Sequence, residues 1–191
     1  YQDNGSSVPN TEEWVAELWN EVIALYENED IPVAVSDILV YTSTDPFANS
    51  PNTALMLDTF MLHINNITYD GRLAHLLSTR NVGGGRAYVD VLCSNSAQVA
   101  VSTSLSTNIV PLPTFSWSVE CVTHEMGHNM GSRHTHACVW NGNNTAIDGC
   151  GPAAGYNEGC NGPLPDEGTI MSYCHLVSGV GINFNLGFGP Q

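Results

Sequence analysis

Between residues 124 and 134 the chain reads His-Glu-Met-Gly-His-Asn-Met-Gly-Ser-Arg-His, and no other stretch limits the possible folds as tightly. Two histidines four residues apart share one helix face, where their imidazoles can converge on one ion. Gly131 then allows the left-handed turn that a side chain would resist, and His134 can swing back as a third donor. Neutral imidazole is a borderline ligand that suits Zn2+. Three protein ligands leave a fourth position open for water, which distinguishes a catalytic site from a structural one. Glu125, beside the first donor, is placed to take a proton from metal-bound water and hand it to a leaving amine. The chain must therefore supply a helix through His128, a break at Gly131, and scaffolding on both sides.

The remaining pattern supplies these parts. Asn10 and Glu13 form an N-cap pair ahead of apolar residues at helical spacing, predicting a helix over residues 11–28. Pro32 stops it, and the near-continuous apolar run from Val33 to Tyr41 reads as a buried strand. Helical periodicity returns over 53–67, short strands are expected at 73–78 and 87–93 around the turn Gly83-Gly84-Gly85, and a third helix spans 116–130. From Gly131 onward, Gly and Pro are dense and regular elements give way to irregular chain. Helix and strand in alternation, followed by such a segment, predict an α/β fold with a mostly parallel twisted sheet. We expect a single domain over 1–191, with an upper part to about 131, a lower part over about 132–191, and a cleft between them.

Four Lys and Arg against 19 Asp and Glu give a formal net charge of −15. A polyanion surface repels such a chain, which argues against nucleic acid and anionic membrane as partners. No apolar run is long enough for membrane insertion. Six cysteines, Cys93, Cys121, Cys138, Cys150, Cys160 and Cys174, suggest a disulfide framework and a secreted, extracellular protein. Six allow 15 pairings. The short Gly-rich loop between Cys150 and Cys160 suggests that pair, with Cys138 to Cys174. Cys121, one turn before His124, is the thiol that could instead approach the metal. Sequons stand at Asn4, Asn66 and Asn143. The polar start fits a processed chain, and a monomer is expected.

A second element supports the histidine string: Thr169-Ile170-Met171-Ser172-Tyr173-Cys174 sets a methionine in a tight turn downstream. String and turn together resemble the metzincin zinc metalloendopeptidases, nearest to their adamalysin or reprolysin branch. Residues 74–78 and 84–93 are similar to the segment of that branch that borders the substrate. The resemblance implies hydrolysis of internal peptide bonds in a protein or peptide substrate through a zinc-bound water. It further implies ligands His124, His128 and His134, and Met171 as a floor beneath them. Gly84, Gly85, Ala87 and Tyr88 would form an edge strand on which substrate lies. Some relatives also carry structural Ca2+. The pocket for the residue after the scissile bond would come from the apolar segment Leu176, Val177, Val180 and Ile182, which implies a hydrophobic side chain there.

Two positions depart from the reprolysin pattern. Thr135 follows the third histidine where the branch usually has Asp, and Thr-Ile-Met-Ser-Tyr is closer to the turn of astacins and serralysins. In those, the Tyr reaches the metal or the oxyanion, so Tyr173 is a further catalytic candidate. Two other classes use the same ligands: a binding-only domain, which has no need of Glu125, and a hydrolase of non-peptide substrates.

Overall fold

Ser7, and not Asn10, opens the first helix. Its side chain accepts the Asn10 N–H at 3.3 Å, and Pro9, its φ already helical, sits in the first turn of α1 (Val8–Glu27). Asn52 caps α2 (Thr53–Ile64) through the Leu55 N–H at 3.0 Å. Ser116 caps α3 (Trp117–Asn129), matching the expected third helix. The computed structural model describes Tyr1–Gly189. Strands β1 (Ala74–Leu77), β2 (Gly85–Ala87) and β3 (Val99–Ser102) precede α3, and a short α4 (Cys150–Ala153) follows it. The chain divides into two units: Tyr1–Pro111 with Ser116–Gly131, and Leu112–Phe115 with the chain from Ser132 onward. It is a mixed α/β protein with a small sheet.

In the first unit the strand order is β1-β3-β2, with β1 parallel and β2 antiparallel to β3. The sheet is thus evenly mixed, not mostly parallel. Its central strand is the one that sequence pattern does not flag. Val99–Ser102 is only four residues long, and all four are buried, so it shows no alternation. Val99 and Val101 join Phe47, Met56, Leu57 and Phe60 in one apolar cluster between sheet and α2. On the other side, α1 buries Trp14, Leu18, Val22 and Leu25 and packs against α3. Each such large side chain contributes about 1.5–3 kcal/mol of burial. Tyr26 adds a polar tie, donating from its hydroxyl to the Thr123 carbonyl at 2.8 Å.

Two strand expectations change. Residues 33–41 form no strand, because no described strand pairs with them. Val35 and Ile38 instead line a groove with Val15, Trp19 and Ile23 of α1. The strand expected at 87–93 ends at Ala87, since the next amide groups are used elsewhere. Asp90 N–H bonds the His128 carbonyl and those of Val91 and Leu92 bond the Asn129 carbonyl, satisfying the last carbonyls of α3. Asn129 returns the tie, its side-chain amide donating to the Tyr88 and Val99 carbonyls at 2.9 and 3.0 Å.

The second unit has little regular structure and is held by two cross-links, Cys138–Cys160 and Cys150–Cys174. Both differ from the expected pairs, Cys150 with Cys160 and Cys138 with Cys174. Ala137 and Gly159 form an antiparallel bridge that delivers Cys160 to Cys138. Cys150 opens α4, which packs on the turn Cys174–Leu176. Closing loops of 22 and 24 residues contributes about 3 kcal/mol each in the chain-entropy account. Cys93 and Cys121 are free thiols, correcting their place among the disulfide candidates: Cys93 is exposed, and Cys121 is buried within α3. No helix among the described residues is long and apolar enough to cross a membrane.

Candidate active site

Helix α3 is buried from Ser118 to Asn129, so its polar side chains have little access to water. His124, Glu125 and His128 are 5%, 7% and 7% exposed. The two imidazoles sit edge to face with centroids 4.7 Å apart, as the four-residue spacing predicts. Glu125 Oε2 is buried without a hydrogen-bond partner. Burial pushes the Glu125 carboxyl up to about 8 against the opposing charge of Arg86 on β2. A nearby divalent cation would act in the opposite direction, favouring the carboxylate.

Glu120, one helical turn before His124, was not singled out by the sequence. It is 1% exposed, and its Oε1 lies 3.6 Å from His124 Nδ1. The available signal was the spacing of four that places Glu120 under the ligand candidate. Burial, then the charge of Glu125, pushes the Glu120 carboxyl well up. Cys121, the thiol that could have approached a metal, is instead hydrogen-bonded toward Ser102 and Thr103, and burial pushes its thiol well up.

β2 is an edge strand directly under this helix face. Gly84 is held at φ +83°, and its carbonyl accepts from the Thr103 N–H and hydroxyl at 3.0 and 2.6 Å. A Cβ built on Gly85 would fall 2.6 Å from Glu125 Cγ and 2.7 Å from Cδ, and would also strike Oε1. Glycine at 85 is therefore a consequence of where the carboxylate rests. Ala87 ends the strand, and Tyr88 donates from its hydroxyl to Asp58 at 2.7 Å. Gly131 takes φ +108°, the left-handed exit that the motif requires.

In the second unit, His134, Met171 and Tyr173 come together. Thr135 N–H bonds the Met171 carbonyl at 3.1 Å and its hydroxyl reaches the same oxygen at 3.4 Å. Thr135, the residue that departs from the reprolysin pattern, thus clamps the methionine turn to the residue after His134. Met171 is fully buried. The Tyr173 ring stands edge-on to His134 at 4.6 Å and packs on His136 at 4.9 Å. His134 Nδ1 lies 2.5 Å from Glu158 Oε1, a partner the sequence did not suggest.

The first unit supplies the paired imidazoles of His124 and His128, and the second supplies His134; within the second unit, two groups among the described residues could hold a metal ion, His134 with His136 and Glu158, and Asp148 with Cys150 and Cys174. The last is spent, because its two sulfurs are bonded to each other. The imidazoles of α3 are donors that fit zinc, and the unpartnered Glu125 oxygen beside them fits a carboxylate that awaits a cation or its water. Calcium takes oxygen ligands, and none of these groups is built from oxygen alone.

Comparison with known proteins agrees with this donor set. The family model for metallo-peptidase family M12, of the reprolysin type, matches residues 1–177. A zinc metalloproteinase-disintegrin-like kaouthiagin-like protein from Naja atra is 26% identical over 132 residues, 65% of this chain. The match spans only 21% of that protein's length. The chain is thus a member of metallo-peptidase family M12, a reprolysin-type metzincin.

Proposed function

We propose that this chain is a zinc-dependent endopeptidase that cuts internal peptide bonds of protein or peptide substrates outside the cytosol. One observation carries the reading: a buried carboxylate, Glu125, next to the helical histidine pair, with an oxygen that no protein group satisfies. Such a group costs stability, and a domain that only bound a partner would gain nothing by keeping it. The two disulfides favour an oxidising compartment, hence secretion.

His124, His128 and His134 would hold the ion, one nitrogen each. Zinc supplies Lewis acidity, polarising a peptide carbonyl and acidifying a water. Glu125 accepts the proton from the attacking water and passes it to the departing amine. Substrate lies extended along the free edge of β2, where backbone groups of Gly84, Gly85, Ala87 and Tyr88 fix its register. The apolar run Leu176, Val177, Val180 and Ile182 favours a hydrophobic residue after the cut bond.

Stripping the protein with 1,10-phenanthroline should remove more than about 99% of its cleavage of a fluorogenic peptide, and one equivalent of zinc should restore it, whereas calcium alone should not. Cleavage persisting in the metal-free protein would refute the reading. For Tyr173, the role we assign is donation from the hydroxyl to the developing negative charge. Tyr173→Phe is then expected to lower kcat about 10- to 100-fold with KM and zinc content held. Unchanged turnover in the folded, zinc-loaded variant would leave the ring only its packing on His134 and His136.

A further inference from the structure

Glu158 lies in irregular chain 24 residues after His134, yet its Oε1 is 2.5 Å from His134 Nδ1 and 3.5 Å from His136 Nε2. The two imidazoles are stacked almost parallel, 8° apart in plane with centroids at 4.9 Å. A metal ion cannot lie in both ring planes of such a stack, which nitrogen donation to it would require. A carboxylate oxygen accepting an N–H meets no such restriction, so Glu158 and His134 form a hydrogen-bonded pair with the His136 ring stacked beside it, and not a second metal site.

Several contacts fix this arrangement independently of any ion. The antiparallel bridge of Ala137 with Gly159 and the Cys138–Cys160 cross-link anchor the chain within two residues after Glu158. Gly159 N–H is also held by Asn157 Oδ1 at 2.6 Å. On the other strand, the His134 carbonyl accepts from the Trp140 indole at 2.7 Å and the Thr135 carbonyl from the Ile147 N–H at 2.7 Å. His136 is fully buried beneath Gly151, where a Cβ would land 2.5 Å from its Nδ1, and burial lowers its imidazole toward the neutral form. The ring on which His134 stacks therefore cannot move away.

We propose that Glu158 is a positioning residue for the metal, acting through His134. By accepting the Nδ1–H it selects the tautomer whose Nε2 lone pair is available, and makes that nitrogen the stronger donor. The Cys138–Cys160 cross-link keeps the carboxylate within reach, so zinc affinity depends on the disulfide. This inference rests on the three-histidine reading above.

The test is zinc affinity, measured by competition with a fluorescent chelator, alongside the melting temperature of the zinc-free protein. Glu158→Ala is expected to weaken zinc binding about 10- to 100-fold, the usual loss for an outer partner. Glu158→Gln, which keeps an acceptor oxygen without the charge, should recover part of it. A merely structural role would lower the zinc-free melting temperature and leave affinity alone. The double variant C138S/C160S should share the weakening. Affinity within about twofold of wild type in folded Glu158→Ala, or in Glu158→Gln should the alanine form not fold, overturns the proposal, provided that His134→Ala does lose zinc. If His134→Ala also keeps its affinity, the three-histidine reading fails instead. Unchanged affinity in C138S/C160S with a loss in Glu158→Ala removes the disulfide from the account.

Discussion

Replacing Glu125 with Gln is expected to lower kcat/KM for peptide cleavage about a thousandfold or more while one zinc per chain stays bound. Positioned general bases contribute about 10²- to 10⁴-fold. The upper part of that range applies because this carboxylate is 7% exposed and has an unpartnered oxygen, so bulk water cannot take over its role. The Gln side chain has nearly the same shape, so α3 and the imidazoles of His124 and His128 stay where they are. It accepts hydrogen bonds but cannot carry the proton from water to amine. Metal analysis and peptide kinetics on the same preparation check this. Activity within tenfold of wild type, with zinc retained, would assign the proton transfer to another group, Tyr173 being the nearest candidate on chemical grounds.

Gly85→Ala is expected to lower kcat/KM about a hundredfold without changing zinc affinity, a large effect from one methyl group on an edge strand. The added carbon would fall 2.6 and 2.7 Å from Glu125 Cγ and Cδ. These atoms lie partway along the side chain, so a small swing of the carboxylate tip does not clear the clash. Either β2 shifts away from its pairing of Gly85 with Ser102, or the whole Glu125 side chain is displaced. A displacement near 1 Å at a reacting group costs about 10²-fold, while overpacking of this kind costs about 1–3 kcal/mol of stability. Kinetics, a chelator competition and a melting curve separate the two effects. A variant with normal kcat/KM would show that the strand gives way freely and that glycine at 85 does not serve the carboxylate.

The candidate site residues of α3 were legible because their relations are local. His124, Glu125 and His128 are set by one helix, whose cap Ser116 and exit Gly131 are both written in the chain. The methionine turn was visible too, though not its attachment, which is the bond from Thr135 to the Met171 carbonyl across 36 residues. The disulfide pairing was misread for the same reason. Loop length suggested Cys150 with Cys160, whereas the bridge of Ala137 with Gly159 and the packing of α4 decide otherwise.

What the sequence determined alone is therefore the helix that carries His124, Glu125 and His128 and its break at Gly131, because a period of 3.6 residues and one glycine suffice to place them. Tertiary structure decided the rest: the buried central strand Val99–Ser102, the close approach of Gly85 on β2 to Glu125, and the carboxylate of Glu158 beside His134. Most of these depend on groups dozens of residues apart, whose meeting is governed by burial and cross-linking of the whole chain, and no periodicity along the backbone encodes such a meeting.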